Sequence, residues 1–161
     1  MIELLRIDER LIHGQVANQW ARQLNVDAIV VANDAAATND LVKASLKMAA
    51  PQGKKVVVKK VEDAIKTLND PRANNMSIFV VVDNPSDCLK IVENVKGVPY
   101  VNVGNFGRVG FDKAQRKEYT SCLYANDQEV ETFKKIMATG IECECRILPS
   151  DVKTSLASVL K

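Results

Sequence analysis

The sequence predicts a single α/β domain built on a mainly parallel sheet. Short apolar runs alternate with helix-patterned segments from one end of the 161 residues to the other. One of the runs, Ala28–Ala32 (AIVVA), is continuously apolar, as strands buried on both faces of a parallel sheet are, and Ser77–Val82 (SIFVVV) is the most strongly apolar strand. No linker, low-complexity tract or internal repeat interrupts the pattern. A chain of this length hides about 70% of the surface its unfolded form exposes, enough for one core without disulfides or structural metal.

The elements follow in order. Met1 to Ile7 reads as the first strand, and a polar turn leads into a helix from about Gln15 to Leu24. Ala28–Ala32 is the second strand. Leu41, Ala44, Ser45, Met48 and Ala49 repeat at helical spacing until Pro51-Gln52-Gly53 stops them. Lys55–Lys59 is a Val-rich third strand, and Val61 to Leu68 a short helix ending before Asn69-Asp70-Pro71. After the fourth strand, Asn84-Pro85-Ser86-Asp87 supplies an N-cap, a proline at the first helical position and an acid in the first turn. That helix runs to about Val95 and ends at Gly97. Tyr100–Val103 is the fifth strand and Tyr119–Tyr124 the sixth. Asn126-Asp-Gln-Glu129 opens a helix with a capping-box pattern that ends at Gly140. Ile141–Leu148 is the last strand, and Pro149-Ser150-Asp151 is read as the start of a terminal helix.

Composition narrows the function by exclusion. Lys and Arg number 22 against 20 Asp and Glu, so no broad basic field is present for nucleic acid. The charged start is unlike a signal peptide, and no apolar run approaches the roughly 20 residues of a membrane helix. Cys88, Cys122, Cys143 and Cys145 form no CxxC pair and no zinc spacing. Cys143 and Cys145 are two apart in a strand, which reads as a pair of half-buried thiols facing the same way. A reducing, cytoplasmic setting fits, and no metal or other cofactor is expected.

In a parallel α/β sheet, chemistry sits beyond the carboxyl ends of the strands. The segment after the first strand holds the only histidine of the chain, His13, just before a helix N-terminus that favours an anion. Neutral imidazole is a good phosphoryl acceptor near neutral pH. Arg6 and Arg10 bring guanidinium groups, and Arg10 is suited to holding two phosphoryl oxygens at once. Gly14 removes a side chain where backbone must approach the phosphate, and Gln15 follows it at the start of the helix. Asp8 or Glu9 is available to accept the other imidazole N–H and fix the tautomer. Asn33 and Asp34, after the second strand, face the same edge and are read as phosphate or loop contacts, with helix capping the competing role for Asp34. Gly104–Phe111 is read as a mobile loop bordering the site or as a docking surface, with Phe106 and Phe111 as partner contacts. Trp20 is read as core packing rather than as a partner-facing anchor.

Arg6-Ile-Asp-Glu-Arg-Leu-Ile-His-Gly-Gln-Val16 resembles the active-site signature of the IIB components of the mannose/fructose/sorbose family of the sugar phosphotransferase system. Val31-Ala-Asn-Asp34, Ala50-Pro51 with Lys54–Val58, Val101-Asn-Val-Gly104 and Gly140-Ile-Glu-Cys-Glu144 resemble further family segments in order, so the resemblance spans residues 1–161 as one IIB domain. It implies an open, twisted, mostly parallel seven-stranded sheet with helices on both faces. It implies that His13 is phosphorylated through Nδ1 and that Arg10 supports the transfer. It also implies a phosphorylated IIA protein as donor, and as acceptor a sugar carried by membrane IIC/IID components, to which the chain associates peripherally. Asp8-Glu9-Arg10 and Gln19-Trp20 lean towards the N-acetylgalactosamine-type branch, and a homodimer is left open.

Rival classes fit less well. A histidine phosphatase needs Arg directly before His and a second histidine. A receiver domain needs an aspartate ending the third strand, where Lys59-Lys60 stands. A dinucleotide-binding module needs a glycine fingerprint after the first strand, where only Gly14 is found. The alternative that remains is a receiver-like or small-molecule-binding α/β regulatory domain without phosphohistidine chemistry.

Overall fold

A computed structural model describes residues 1–109 and 115–161. The chain runs β1 (Ile2–Asp8), α1 (Gly14–Leu24), β2 (Ala28–Ala32), α2 (Asp34–Ala37), α3 (Asp40–Ala49), β3 (Lys55–Lys59) and α4 (Val61–Asn69). A 3₁₀ turn (Pro71–Asn75) precedes β4 (Ile78–Val82), α5 (Pro85–Asn94) and β5 (Tyr100–Asn105). Then come β6 (Lys117–Thr120), β7 (Leu123–Ala125), α6 (Asp127–Ala138), β8 (Glu142–Cys145), β9 (Thr154–Ser155) and α7 (Leu156–Val159).

The main sheet has seven strands among the described residues, in the order β3-β2-β4-β1-β5-β8-β9. All neighbours are parallel except β9, which runs antiparallel to β8. The strand patterning sorts side chains to two faces. Leu4, Ile29, Val31, Phe79 and Val81 meet Ala17, Trp20 and Ala21 of α1, Ala36 of α2 and Leu46 of α3. Leu5, Ile7, Val80 and Val82 meet Ala64 and Leu68 of α4, Ile91 of α5 and Phe133 and Ile136 of α6. The result is the expected three layers. Each large side chain so buried contributes roughly 1.5–3 kcal/mol.

This topology opens the carboxyl end of β1. Its chain leaves towards α1 on one face, whereas the flanking β4 and β5 lead to α5 and α6 on the other. The connections diverge there and leave a crevice.

Four expectations are corrected. The stretch 119–124 is not one strand: Thr120 Oγ1 accepts from the Cys122 N–H at 3.2 Å, turning the chain at 121–122 into the antiparallel ribbon β6–β7, outside the main sheet. The seventh strand of the main sheet is β9. Residues 149–151 open no helix, because Asp151 Oδ2 accepts from the Leu148 N–H and the Asp151 N–H donates back to the Leu148 carbonyl, closing a single turn. The last long strand stops at Cys145, and the terminal helix is the four-residue α7. Cys143 and Cys145 are buried outright rather than half-buried. Elsewhere the capping residues act as read: Asn84 Oδ1 accepts from Asp87 N–H, and Asn126 and Glu129 form a reciprocal capping box.

Candidate active site

The segment between β1 and α1 is held from both ends. The Leu11 N–H donates to the Asp8 carbonyl at 2.8 Å, closing a turn with Glu9 and Arg10 at its tip. Asp8 Oδ1 accepts from the Arg10 N–H at 2.9 Å, so one residue fixes the turn through both backbone and side chain. Leu11 takes a left-handed φ of 58°, which costs a side-chain-bearing residue about 1–2 kcal/mol. That conformation turns Ile12 into the core between β1 and α1, where it is 4% exposed. His13 then stands at the N-cap of α1, and Gly14 has φ +44°. A Cβ on Gly14 would meet nothing within 4 Å, so its backbone conformation, rather than crowding, calls for glycine.

The imidazole is oriented by a buried carboxylate. His13 Nε2 lies 2.8 Å from Asp8 Oδ2, with the Asp8 side chain fully buried and the His13 side chain 17% exposed. An ionised carboxylate only accepts, so Nε2 carries the proton in this bond. Nδ1 makes no hydrogen bond to any described residue. Asp8, not Glu9, is therefore the acid that sets the tautomer. Glu9 does something else: its Oε1 and Oε2 accept from the Gly107 and Arg108 N–H groups at 3.3 and 3.1 Å, while its own N–H donates to the Asn105 carbonyl. The crevice walls after β1 and β5 are thus tied together beside His13.

Arg6 lies behind the site rather than at its mouth. Its side chain is 2% exposed, with Nη2 donating to Asp8 Oδ2 at 2.9 Å and Nη1 to Asn102 Oδ1 at 2.6 Å and the Ile147 carbonyl at 3.1 Å. Burial lowers the guanidinium pKa from its ordinary value, opposed by Asp8. The direct phosphate contact expected of Arg6 is corrected to a structural hold on Asp8, because both terminal nitrogens are engaged inside the fold. Gly104 makes room for this group: a Cβ there would sit 2.0 Å from Arg6 Cζ. Arg10, by contrast, is exposed at the turn tip, and its side chain has no hydrogen bond or ion pair among the described residues.

The second loop contributes to helices instead of to this cluster. Asn33 Oδ1 accepts from the Ala36 N–H at 2.8 Å as the cap of α2, and Asp34 Oδ1 accepts from the Val61 N–H at 2.9 Å at the start of α4. β2 is also separated from β1 by β4, roughly 10 Å across the sheet. Gln15 and Gly14 are exposed on the first turn of α1. Trp20 is core, 1% exposed, with Nε1 donating to the Ile147 carbonyl at 2.8 Å. Phe106 is corrected from a partner contact to a core residue: it is 5% exposed and packs edge-on against Phe133 at 6.1 Å. Phe111 and Gly110 lie outside the described residues.

Two polar residues next to this cluster escaped the sequence reading. Asn102 and Glu144 are fully buried on β5 and β8, and each breaks a run of apolar neighbours (Val101 and Val103, Cys143 and Cys145). A polar residue at an inward position of a buried strand was the available signal.

Among the described residues no group of three or more His, Cys, Asp or Glu is arranged to hold a metal ion, and no helix is long and apolar enough to cross a membrane. What the cluster offers chemically is one imidazole nitrogen, oriented and unengaged, at the start of α1. The N-cap side chain makes no cap hydrogen bond, and the first turn of α1 contains no acid. The positive end of the helix is therefore not neutralised from within, which suits a phosphoryl group.

Comparison with known proteins agrees along the whole chain. Residues 2–161 match the family model of the PTS system sorbose subfamily IIB component. A probable phosphotransferase enzyme IIB component of Streptococcus pyogenes serotype M6 is 40% identical over 164 residues, covering 99% of both chains. The mannose-specific EIIAB component of Escherichia coli K12 is 33% identical over 161 residues, which span 99% of this chain and 48% of that relative. The crystal structure of the IIB domain of the Klebsiella pneumoniae sorbose permease superposes with a TM-score of 0.91 at 28% identity, covering 99% of this chain and 96% of that one. With the fold, the His13 loop and these likenesses in agreement, the chain belongs to the sorbose-type IIB components of the sugar phosphotransferase system, phosphotransferases that pass phosphoryl groups to sugars.

Proposed function

We propose that His13 carries the phosphoryl group and accepts it through Nδ1 from a phosphohistidine on a IIA protein. The observation that carries this reading is the 2.8 Å bond between His13 Nε2 and the buried Asp8 carboxylate, which leaves Nδ1 as the nitrogen with a lone pair. In the forward step the Nδ1 lone pair attacks phosphorus, the N–P bond of the donor breaks, and the donor imidazole leaves. Asp8 stabilises the positive charge that Nδ1–P bond formation puts on the ring. Arg10 is the group that follows the transferring oxygens, because the exposed turn tip leaves its planar fork unengaged. Gly14 and Gln15, at the open start of α1, contribute backbone N–H groups to the same charge.

In the second step a sugar hydroxyl attacks phosphorus, giving up its proton to water, and His13 leaves through Nδ1 with its Nε2 proton still held by Asp8. The acceptor is a hexose or amino sugar presented by membrane IIC/IID components, to which the chain attaches peripherally from the cytoplasm. The lean to N-acetylgalactosamine rests on Asp8-Glu9-Arg10 and Gln19-Trp20. Fusion of IIA and IIB in the mannose-specific relative supports a IIA donor.

The test is to incubate the protein with phosphorylated IIA and map the modified residue. An acid-labile phosphate on His13, absent from His13→Ala, is the expected result. Failure to label, or labelling that persists in His13→Ala, overturns the reading. Arg10→Lys keeps the fold and slows transfer, and a wild-type rate in that variant would remove Arg10 from the mechanism.

A further inference from the structure

Arg6, Asn102 and Glu144 sit side by side across three strands, Arg6 opposite Asn102 between β1 and β5, and Asn102 opposite Glu144 between β5 and β8. All three are buried, at 2%, 0% and 0% exposure. Such a polar row inside a sheet is costly unless each member is partnered. Here the partners form a directed chain. Asn102 Nδ2 donates to Glu144 Oε1 and to the Arg146 carbonyl, each at 3.1 Å. With two acceptors on its amino side, the amide must turn its oxygen towards Arg6, which donates to it at 2.6 Å. Arg6 then donates from its other nitrogen to the same Asp8 oxygen that holds His13. Trp20 covers the row, with the guanidinium groups of Arg6 and Arg146 at 5.6 and 5.1 Å from its ring. Glu144 Oε1 also accepts from Arg146 Nε at 3.1 Å, while its buried Oε2 has no hydrogen-bond partner among the described residues.

We infer that Asn102 and Glu144 are positioning residues for phosphoryl transfer: Glu144 orients Asn102, Asn102 shares Arg6 with Asp8, and that sharing sets how strongly Asp8 holds the Nε2–H tautomer of His13. This rests on the reading of His13 as the phosphoryl acceptor. Asp8 Oδ2 receives two donors, so a guanidinium pulled towards Asn102 and Glu144 leaves more of the carboxylate to the imidazole. Removing the negative charge of Glu144, or the amide of Asn102, shifts Arg6, still held by the Ile147 carbonyl, towards Asp8 and weakens the grip of Asp8 on the ring. The acceptance chain is cooperative, since each oriented dipole polarises the next in a low-dielectric interior. The charged and titratable groups around Glu144 are Arg6, Arg146, Lys153, Tyr100, Cys143 and Cys145, and no side chain among them makes a hydrogen bond to the Asn102 amino group in its place.

The experiment uses the full chain with Glu144→Gln and Asn102→Leu, two near-isosteric changes. Two quantities are read: the ¹⁵N shifts of the His13 ring nitrogens in unphosphorylated protein, and the rate of labelling by phosphorylated IIA. Asn102→Leu is expected to slow labelling about tenfold, the scale of one charge-assisted hydrogen bond, and Glu144→Gln a few-fold. Both are expected to move the ring shifts towards a mixture of tautomers. A purely structural role predicts lower stability with unchanged ring shifts and rate, and that outcome overturns the inference. If Asn102→Leu does not fold, Glu144→Gln decides alone. If wild-type protein is never labelled, the phosphohistidine reading fails, while the ring shifts still decide whether the row reaches His13.

Discussion

The segments after β1 and β2 leave the same edge of the sheet, each enters a helix, and each begins with a polar side chain buried at the strand end. After β2 the polar atoms serve backbone: Asn33 caps α2 and Asp34 reaches across to the first N–H of α4. After β1 the carboxylate of Asp8 takes the side chains of His13 and Arg6 and only one backbone N–H. The helices that follow differ in the same sense. α3, α4, α5 and α6 each carry an acid in the first turn, whereas α1 carries none and its N-cap side chain makes no cap bond. A side-chain cap is worth about 1 kcal/mol, and the left-handed Leu11 costs about 1–2 kcal/mol more. One segment is built for stability. The other gives some up and keeps an imidazole nitrogen and a helix end free for a ligand.

The sharpest way to break that contrast is Asp8→Ala. It leaves Arg6 buried at 2% exposure without its counter-charge, which costs about 3–5 kcal/mol, and it abolishes labelling of His13. Urea unfolding and the phosphorylation assay measure the two effects. A variant of near-wild-type stability would show that Asp8 is not the partner that makes burial of Arg6 tolerable. Asn33→Ala is the counterpart on the other segment. Loss of one cap lowers stability by about 1 kcal/mol and leaves the labelling rate unchanged. Slowed labelling in that variant would return the second loop to the site.

A second buried carboxylate extends the comparison to pH. Asp8 has three donors, whereas Glu144 has one oxygen without a partner among the described residues, and burial raises its pKa above the ordinary glutamate value of 4.5. The folded protein then holds a proton on Glu144 at pH values where the unfolded chain has lost it. Stability contributed by this group is therefore full below 4.5 and declines as pH rises through the raised value. Glu144→Gln flattens that part of the profile. Thermal melts of both proteins across this range check it, and parallel profiles would mean that Glu144 titrates as an ordinary carboxyl.

The strand-helix order, the caps at Asn84 and Asn126 and the His13 segment were legible because each rests on local sequence: periodicity, a capping pattern, a single histidine in the right place. What was not legible depends on contacts distant along the chain. Arg6 reads as a phosphate-binding guanidinium until Asn102 and the Ile147 carbonyl are found beside it. Glu9 and Asp8 are equivalent on paper, and only the arrival of Gly107 and Arg108 separates their roles. The ribbon β6–β7 was missed because Ser121-Cys122 carries no glycine, asparagine or proline, the turn being made by the Thr120 hydroxyl instead.

The smallest change in stability gives the most direct test of why α1 lacks an acid at its start. Gln15 is exposed in the first turn, so Gln15→Glu gives α1 what α3 to α6 already have. A carboxylate there complements the helix dipole and raises stability by about 0.5 kcal/mol. The same charge repels the incoming phosphoryl group and slows labelling of His13 several-fold. Both effects shrink as salt is added, because the position is open to solvent. Gln15→Lys reverses the signs, with slightly lower stability and labelling no slower than wild type, so the pair separates charge from loss of the amide. If Gln15→Glu stabilises the fold and labels at the wild-type rate, the bare helix end is not reserved for phosphate, and the contrast between the two segments loses its functional half.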